Sequence, residues 1–238
     1  MKTIESGRSM IEMLGVLAII GVLSVGGIAG YSRAMTKYRT NKTIDQVTML
    51  VTNIRTLYAQ QNNFEDLSNK TAYDLGVIPD DLVPSTFKND DTNSTLKNAF
   101  KGNVYINLSY ATSTDAPAAG GTGGEPTAFE IAFDGLSREA CIAMATSDWG
   151  SGSSSGLVGI AFKGEESGAK LTKASDDGNG MYIGCAGSET TSAALGKGKV
   201  IACPAGSIRV PLSVKRASEA CNCIGTGSNK CSITWKYF

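Results

Sequence analysis

The 238-residue chain contains no histidine. This removes the side chain that most often serves as a general base near neutral pH and as a metal ligand. Net charge is missing too, because 22 basic residues offset 22 acidic ones. No global field therefore favours nucleic acid or an acidic ligand. Two further absences divide the chain. There is no charged residue from Met13 to Ser32, and no cysteine before Cys141. The first isolates an apolar N-terminal stretch. The second confines every possible crosslink to the later part of the chain.

Within RSMIEMLGVLAIIGVLSVGGIAGYSRAM lies an uncharged run with the dimensions of a membrane helix. Its 20 residues from Met13 to Ser32 rise roughly 30 Å as a helix, the thickness of a bilayer's hydrocarbon core. A secretory signal has a shorter apolar region ending at a small-x-small cleavage site. Here the preceding segment, MKTIESG, is very short and the helical period runs on past the apolar stretch, so a retained helix is expected. Tyr31, Ala34, Met35 and Tyr38 continue the 3.6-residue repeat. RTNKT at 39–43 interrupts it. Ile44, Val47, Leu50, Val51, Ile54, Leu57 and Tyr58 then form a one-sided stripe, with Asp45, Thr48, Thr52, Arg55 and Thr56 off it. One long helix over about 9–61, bent near 39–43, is predicted.

Residues 64–101 read as a connector punctuated by Pro79 and Pro84. Alternation of apolar and polar residues predicts strands at 103–110 and 127–134, separated by a Gly-rich loop at 111–126. Residues 136–148 read as a helix N-capped by Ser137, with Cys141, Met144 and Ala145 facing inward. Further strands are expected at 157–163, 207–214 and 232–238. The expected fold class is α+β: a long N-terminal helix packed on an antiparallel sheet, with crosslinked loops.

The six cysteines are Cys141, Cys185, Cys203, Cys221, Cys223 and Cys231. An even number in a loop-rich region beyond a membrane segment favours disulfides and an oxidising compartment. The rival is a metal site with Cys221, Cys223 and Cys231 as thiolate ligands. The lack of histidine and of a CxxC pair weighs against it. The basic residues Arg33, Lys37, Arg39 and Lys42, which follow the apolar run, would by a positive-inside count put the C-terminal side in the cytoplasm. The cysteines point the other way and are given precedence. Catalysis finds little support. The serines of 151–155 have no base at hand. GTGG at 121–124 does not join a strand to a helix as a phosphate loop does. Asp176-Asp177-Gly178-Asn179 lacks the later bidentate acid of a calcium loop and reads as a turn. No cofactor and no nucleic-acid partner is expected.

The N-terminal stretch resembles the prepilin signature of type IV pilins: a short charged leader ending in glycine, glutamate at the fifth position after it, then an apolar helix. Gly7, Glu12 and LGVLAIIGVLSV stand at those offsets. The resemblance implies a leader at 1–7, a helix at 8–62 that spans the membrane over about 10–32, and a globular head at 63–238. It implies cleavage between Gly7 and Arg8 by a prepilin peptidase. The precursor would sit in the bacterial inner membrane, and the assembly machinery would build the mature subunits into an extracellular homo-oligomeric filament, with no enzymatic role. It also implies a partner for Glu12, since a carboxylate at mid-helix depth in hydrocarbon costs about 2.5–3.5 kcal/mol. In pilins that partner is the new α-amino group of a neighbouring subunit, here that of Arg8. A salt bridge from Arg8 to Glu12 within one helix, at i,i+4, is the alternative. Arg8 stands where the family has an apolar first residue, which bears on methylation of the new terminus. Gly26 and Gly30 form a GxxxG pair suited to close helix packing.

The large head, a cysteine on a mid-domain helix, a late cysteine cluster and a closing Cys-x-Ile-Thr-Trp strand resemble the type IVb subclass. By that resemblance Cys141 bonds one cysteine of the 221–223 pair, Cys185 bonds Cys203, and the remaining member of the pair bonds Cys231. A pseudopilin of type II secretion shares the same processing pattern and is the nearest alternative. A membrane-anchored ectodomain that never polymerises is the other.

Overall fold

The computed structural model describes residues 8–61, 63–90, 95–109, 124–150, 156–164, 182–185, 208–209, 211–223 and 230–238. The chain falls into two units, Met1–Arg39 and Thr40–Phe238. Helix α1, Arg8–Tyr58, contributes to both. The expected interruption at 39–43 is absent, since helix runs through it. This polar patch is where the unit boundary falls.

In the first unit every side chain from Met10 to Ala34 is exposed, although the segment is almost wholly apolar. In the second unit α1 becomes one-sided. Val47, Leu50, Val51, Ile54 and Tyr58 are buried, as their spacing predicts, whereas Leu57 is left exposed. Fully burying each such aliphatic side chain contributes about 1.5–3 kcal/mol. Two residues of the polar patch, Thr40 and Thr43, are buried as well. Lys42 pairs with Asp81 at 3.1 Å, and Gln46 Nε2 donates to the same carboxylate at 2.9 Å. The patch is therefore a seam between the helix and the segment that follows it, not a break.

That following segment is more structured than a connector. It holds helix α2, Asn69–Asp74, and a 3-10 turn, Asp80–Leu82. Asn53 Nδ2 donates to the Val77 carbonyl at 2.9 Å and ties it to α1. Among the described residues seven strands make one sheet: β1 Leu96–Lys97, β2 Asn103–Ser109, β3 Ala128–Leu136, β4 Leu157–Gly164, β5 Tyr182–Cys185, β6 Ile208–Arg209 and β7 Cys231–Tyr237. Their order is β1-β2-β3-β7-β4-β5-β6. All pairs are antiparallel except β5 with β6, which is parallel. The strand expected at 207–214 shrinks to two residues because Pro211 offers no backbone N–H. Helix α4, Val214–Ala220, follows it, capped by Ser213. Helix α3, Arg138–Ala145, begins where expected: the Ser137 hydroxyl accepts from the Ala140 N–H at 3.2 Å.

The expected one-sided alternation of the strands is also modified. Phe129, Ile131 and Phe133 of β3 share the core with Ile233, Trp235 and Tyr237 of β7. Their alternate neighbours, Ala128, Glu130, Ala132, Ser232, Thr234 and Lys236, are buried too. Glu130 and Lys236 stand opposite each other across β3 and β7, and the Ser109 hydroxyl donates to Glu130 at 2.7 Å. The central strands are thus buried on both faces, one apolar and one polar.

Aromatic rings chain the helix to the sheet. Tyr58 meets Phe64, Phe64 meets Phe129, and Phe129 stacks on Tyr237. A second group joins Phe133 to Trp235 and Trp235 to Trp149. Trp235 is fully buried, and among the described residues its indole N–H has no hydrogen-bond partner. Trp235→Ala should therefore destabilise the head by about 3–5 kcal/mol. Trp235→Phe, which keeps a ring and removes the orphaned donor, should cost clearly less. Urea midpoints of the two variants check this ranking.

Candidate functional site

Two regions carry the residues singled out from the sequence. The first is the start of α1. Arg8 is its first residue, and Gly7 lies outside the described residues. Glu12 lies on the second turn, exposed, within the apolar stretch. Among the described residues no hydrogen bond or ion pair reaches Glu12. The side chain of Arg8 lies outside the description, so the intrahelical pair is not placed. α1 is long and apolar enough to cross a membrane, with a mean hydropathy of 2.2 over its most apolar window. Gly26 and Gly30 are bare: a Cβ built at either would meet nothing within 4 Å. Among the described residues nothing packs against these glycines.

The second region is a cysteine junction. Cys141, on α3, is bonded to Cys221, the C-cap of α4. Cys223 is bonded to Cys231, the first residue of β7. The Cα separations, 5.8 and 5.4 Å, suit disulfides. All four residues are buried. Polar contacts bring α3 and α4 together: the Arg138 guanidinium donates to the Ser218 hydroxyl at 2.9 Å, and the Leu212 N–H donates to the Ala145 carbonyl at 2.9 Å. Sequence spacing held no signal for the Arg138–Ser218 contact, because the partners are 80 residues apart. Cys185 lies on β5. Cys203 lies outside the described residues, as do 151–155, 121–123 and 176–179.

Burial also sets the titration of two tyrosines. Removal from water pushes the Tyr237 phenol far above its ordinary value of 10.0, with the Arg55 charge acting weakly the other way. Tyr58 is raised by burial and by Asp66. At the surface, Asp74 is held below its usual range by hydrogen bonds from Lys70 and Asn89. A raised acid pKa means that the folded head prefers the neutral phenol. Its stability should be level below the ordinary tyrosine range and fall as pH rises through and above about 10. Phenolate absorbance should show Tyr237 ionising only together with loss of the folded signal, whereas Tyr237→Phe should hold its stability to higher pH.

A comparison that spans most of the chain, Cys141 included, decides the family. The family model described as Bundlin matches residues 32–202. The chain belongs to the bundlin family. This bundlin-family chain is 24% identical over 164 residues to the major structural subunit of the bundle-forming pilus of Escherichia coli O127:H6 (strain E2348/69 / EPEC). That match covers 69% of this chain and 75% of the relative. It is 25% identical over 149 residues, 63% of this chain and 68% of the relative, to the major structural subunit of the bundle-forming pilus of Escherichia coli O111:H-. Solved structures similar to it include a type IV b pilin from Salmonella typhi, with a TM-score of 0.44 and 15% identity over 83% of this chain and 98% of that one. Another is TcpA, a type IV pilin from Vibrio cholerae El Tor biotype, with a TM-score of 0.40 and 16% identity over 84% of this chain and 99% of that one.

Proposed function

We propose that the chain is a structural subunit of a type IV pilus, of the IVb type. In this reading it is made as a prepilin in the bacterial inner membrane and cut between Gly7 and Arg8 by a prepilin peptidase. The pilus assembly machinery then polymerises it through α1, and the disulfide-bonded head faces outward in the extracellular filament. Its role is structural rather than enzymatic.

One observation carries this reading. Two non-overlapping parts of the chain point to the same class of protein. Gly7, Glu12 and the apolar run stand at prepilin offsets, while the bundlin match begins only at residue 32. Agreement between independent segments is much harder to obtain by chance than either alone. The physics of the first segment supports it. An exposed apolar helix of this length needs lipid or other helices around it, and a filament core supplies the second once the chain leaves the membrane. Glu12 then meets the α-amino group of Arg8 on the next subunit, and Gly26 and Gly30 allow close approach of neighbouring helices.

The test is to shear filaments from cells that express the chain and to measure the intact mass of the subunit in them. A chain beginning at Arg8 in the sheared fraction supports the proposal. Cleavage after Gly7 with the chain confined to the envelope would favour a secretion pseudopilin. An uncut chain held in the membrane would favour the non-polymerising anchor.

A further inference from the structure

The cysteine junction holds more than two separate crosslinks. The Sγ atoms of Cys141, Cys223 and Cys231 all lie within 4.8 Å of one another. Cys221 Sγ is bonded to the Cys141 Sγ of this group. Four sulfurs from three places in the chain thus converge: helix α3, the end of α4 with the residues just after it, and the start of β7. All four residues are at most 1% exposed. Zinc takes four thiolates at about 2.3 Å in a tetrahedron, so neighbouring sulfurs in such a site stand roughly 3.8 Å apart. Opening the two S–S bonds frees the four side chains to rotate toward that spacing. The ligand pattern is one cysteine from α3, the pair Cys221-Asn222-Cys223, and Cys231 eight residues after Cys223. From the sequence, only the last three could be considered together as ligands. The fold supplies the fourth from 80 residues upstream.

We propose that, in the reduced chain, Cys141, Cys221, Cys223 and Cys231 form a closed tetrathiolate site for a soft divalent cation such as Zn2+. A separate observation on the same junction bears on its charge. Four thiolates around a divalent ion carry two net negative charges, and a buried charge needs a compensating partner. Arg138 lies one turn before Cys141 on α3 and reaches Ser218, one turn before Cys221 on α4. Among the described residues its buried Nε has no hydrogen-bond partner. Spacing of i,i+3 puts Arg138 and Cys141 on one face of α3, and Ser218 and Cys221 on one face of α4. Arg138 is a cation with an unused donor at the α3–α4 junction that the Cys141–Cys221 bond also closes.

The chemistry balances. Loading the reduced site joins one cation to four thiols and releases four protons. Oxidation draws two electrons from each pair of thiolates into an S–S bond. For each pair, one disulfide oxidant accepts the two electrons with two protons from water and leaves as its dithiol, so two oxidants are consumed and the cation is expelled. The metal-bound and disulfide forms are therefore mutually exclusive states of the same four residues.

The experiment uses the full chain in detergent micelles, reduced with a phosphine under anaerobic conditions, with Co2+ as the probe. The expected result is one Co2+ per chain, with the absorption bands of a tetrahedral thiolate complex displaced by Zn2+. No such bands should form in the oxidised chain. Cys141→Ser should change the bands to those of a three-sulfur set, and Arg138→Met should weaken binding by roughly 10–100-fold, as expected for a group that supports ligands without touching the metal. A second readout needs no prior folding of the reduced chain. With Zn2+, intact mass after alkylation should show four protected thiols while Cys185 and Cys203 react, and a chelator should expose all of them. Absence of the bands together with unprotected thiols overturns the proposal. So do unchanged bands in Cys141→Ser, bands in the oxidised chain, or bands abolished by Cys185→Ser or Cys203→Ser alone.

Discussion

Replacing Glu12 with Gln should abolish filament assembly while leaving the head domain folded. Glu12 is exposed in the apolar start of α1, and among the described residues nothing pairs with it. A carboxylate in that setting costs about 2.5–3.5 kcal/mol at mid-helix depth. Pairing with an amine on the next subunit recovers a cost of that size, which corresponds to on the order of 100-fold in the association equilibrium. Removing the charge removes the drive toward that register, and the two helices can slide. The yield of sheared filaments reads the effect. Circular dichroism and unchanged disulfides would show that the head is intact. Arg8→Ala separates the two pairings open to Glu12. Cleavage of such a variant still exposes an α-amino group, so intermolecular pairing predicts near-normal assembly. An intrahelical Arg8–Glu12 bridge predicts a defect matching that of Glu12→Gln. Normal assembly of Glu12→Gln would remove the role assigned to this residue.

The second large effect lies in the crosslinks, and the two described disulfides should differ in a defined direction. Cys141–Cys221 spans 80 residues, and Cys223–Cys231 spans only 8. In the chain-entropy view a disulfide destabilises the unfolded state more when it closes a longer loop. The long closure is worth about 4.5 kcal/mol, and the short one about 2 kcal/mol less. Replacing Cys141 and Cys221 together with alanine should thus lower the urea midpoint of the head by about 2 M, taking a slope of roughly 2 kcal/mol per molar. The Cys223/Cys231 pair of alanines should cost about half as much. Tryptophan fluorescence suits the measurement, because Trp149 and Trp235 pack on each other in the head core. Equal losses from both double variants would mean that local packing, not loop closure, sets the value of these bonds. Paired substitution matters here, since a single change would leave a buried free thiol and mix the two effects.

Several features could be read from the residues alone because their signals are local. An uncharged run of membrane length is visible as a run. Glu12 is conspicuous because a charge beside that run has no local reason to be there. The stripe from Val47 to Tyr58 has a helical period, and Ser137 begins its helix because a hydroxyl there can accept the Ala140 N–H. The strands at Asn103–Ser109 and Cys231–Tyr237 alternate over seven residues each, long enough for the period to register.

The features that escaped are short or depend on distant partners. Helix α2 and strands β1, β5 and β6 have two to six residues, too few to display a period. Helix α4 was obscured because SIRVPLSV has strand composition, yet Pro211 stops the strand and Ser213 starts a helix. RTNKT reads as an interruption because polar residues are mostly exposed. Thr43 is fully buried, and Lys42 meets Asp81, which lies in another element. Glu130 and Lys236 alternate with apolar neighbours as outward-facing residues would, and only the assembled sheet buries them.

The sequence by itself determined the long apolar helix, the placement of Glu12 and the α+β class, because each rests on spacing within a few turns or along one strand. Only the tertiary structure decided the strand order, which member of the 221–223 pair bonds Cys141 and which bonds Cys231, and the convergence of their sulfurs. Those outcomes depend on which surfaces meet after the chain has closed loops of up to 80 residues, and no local pattern carries that information.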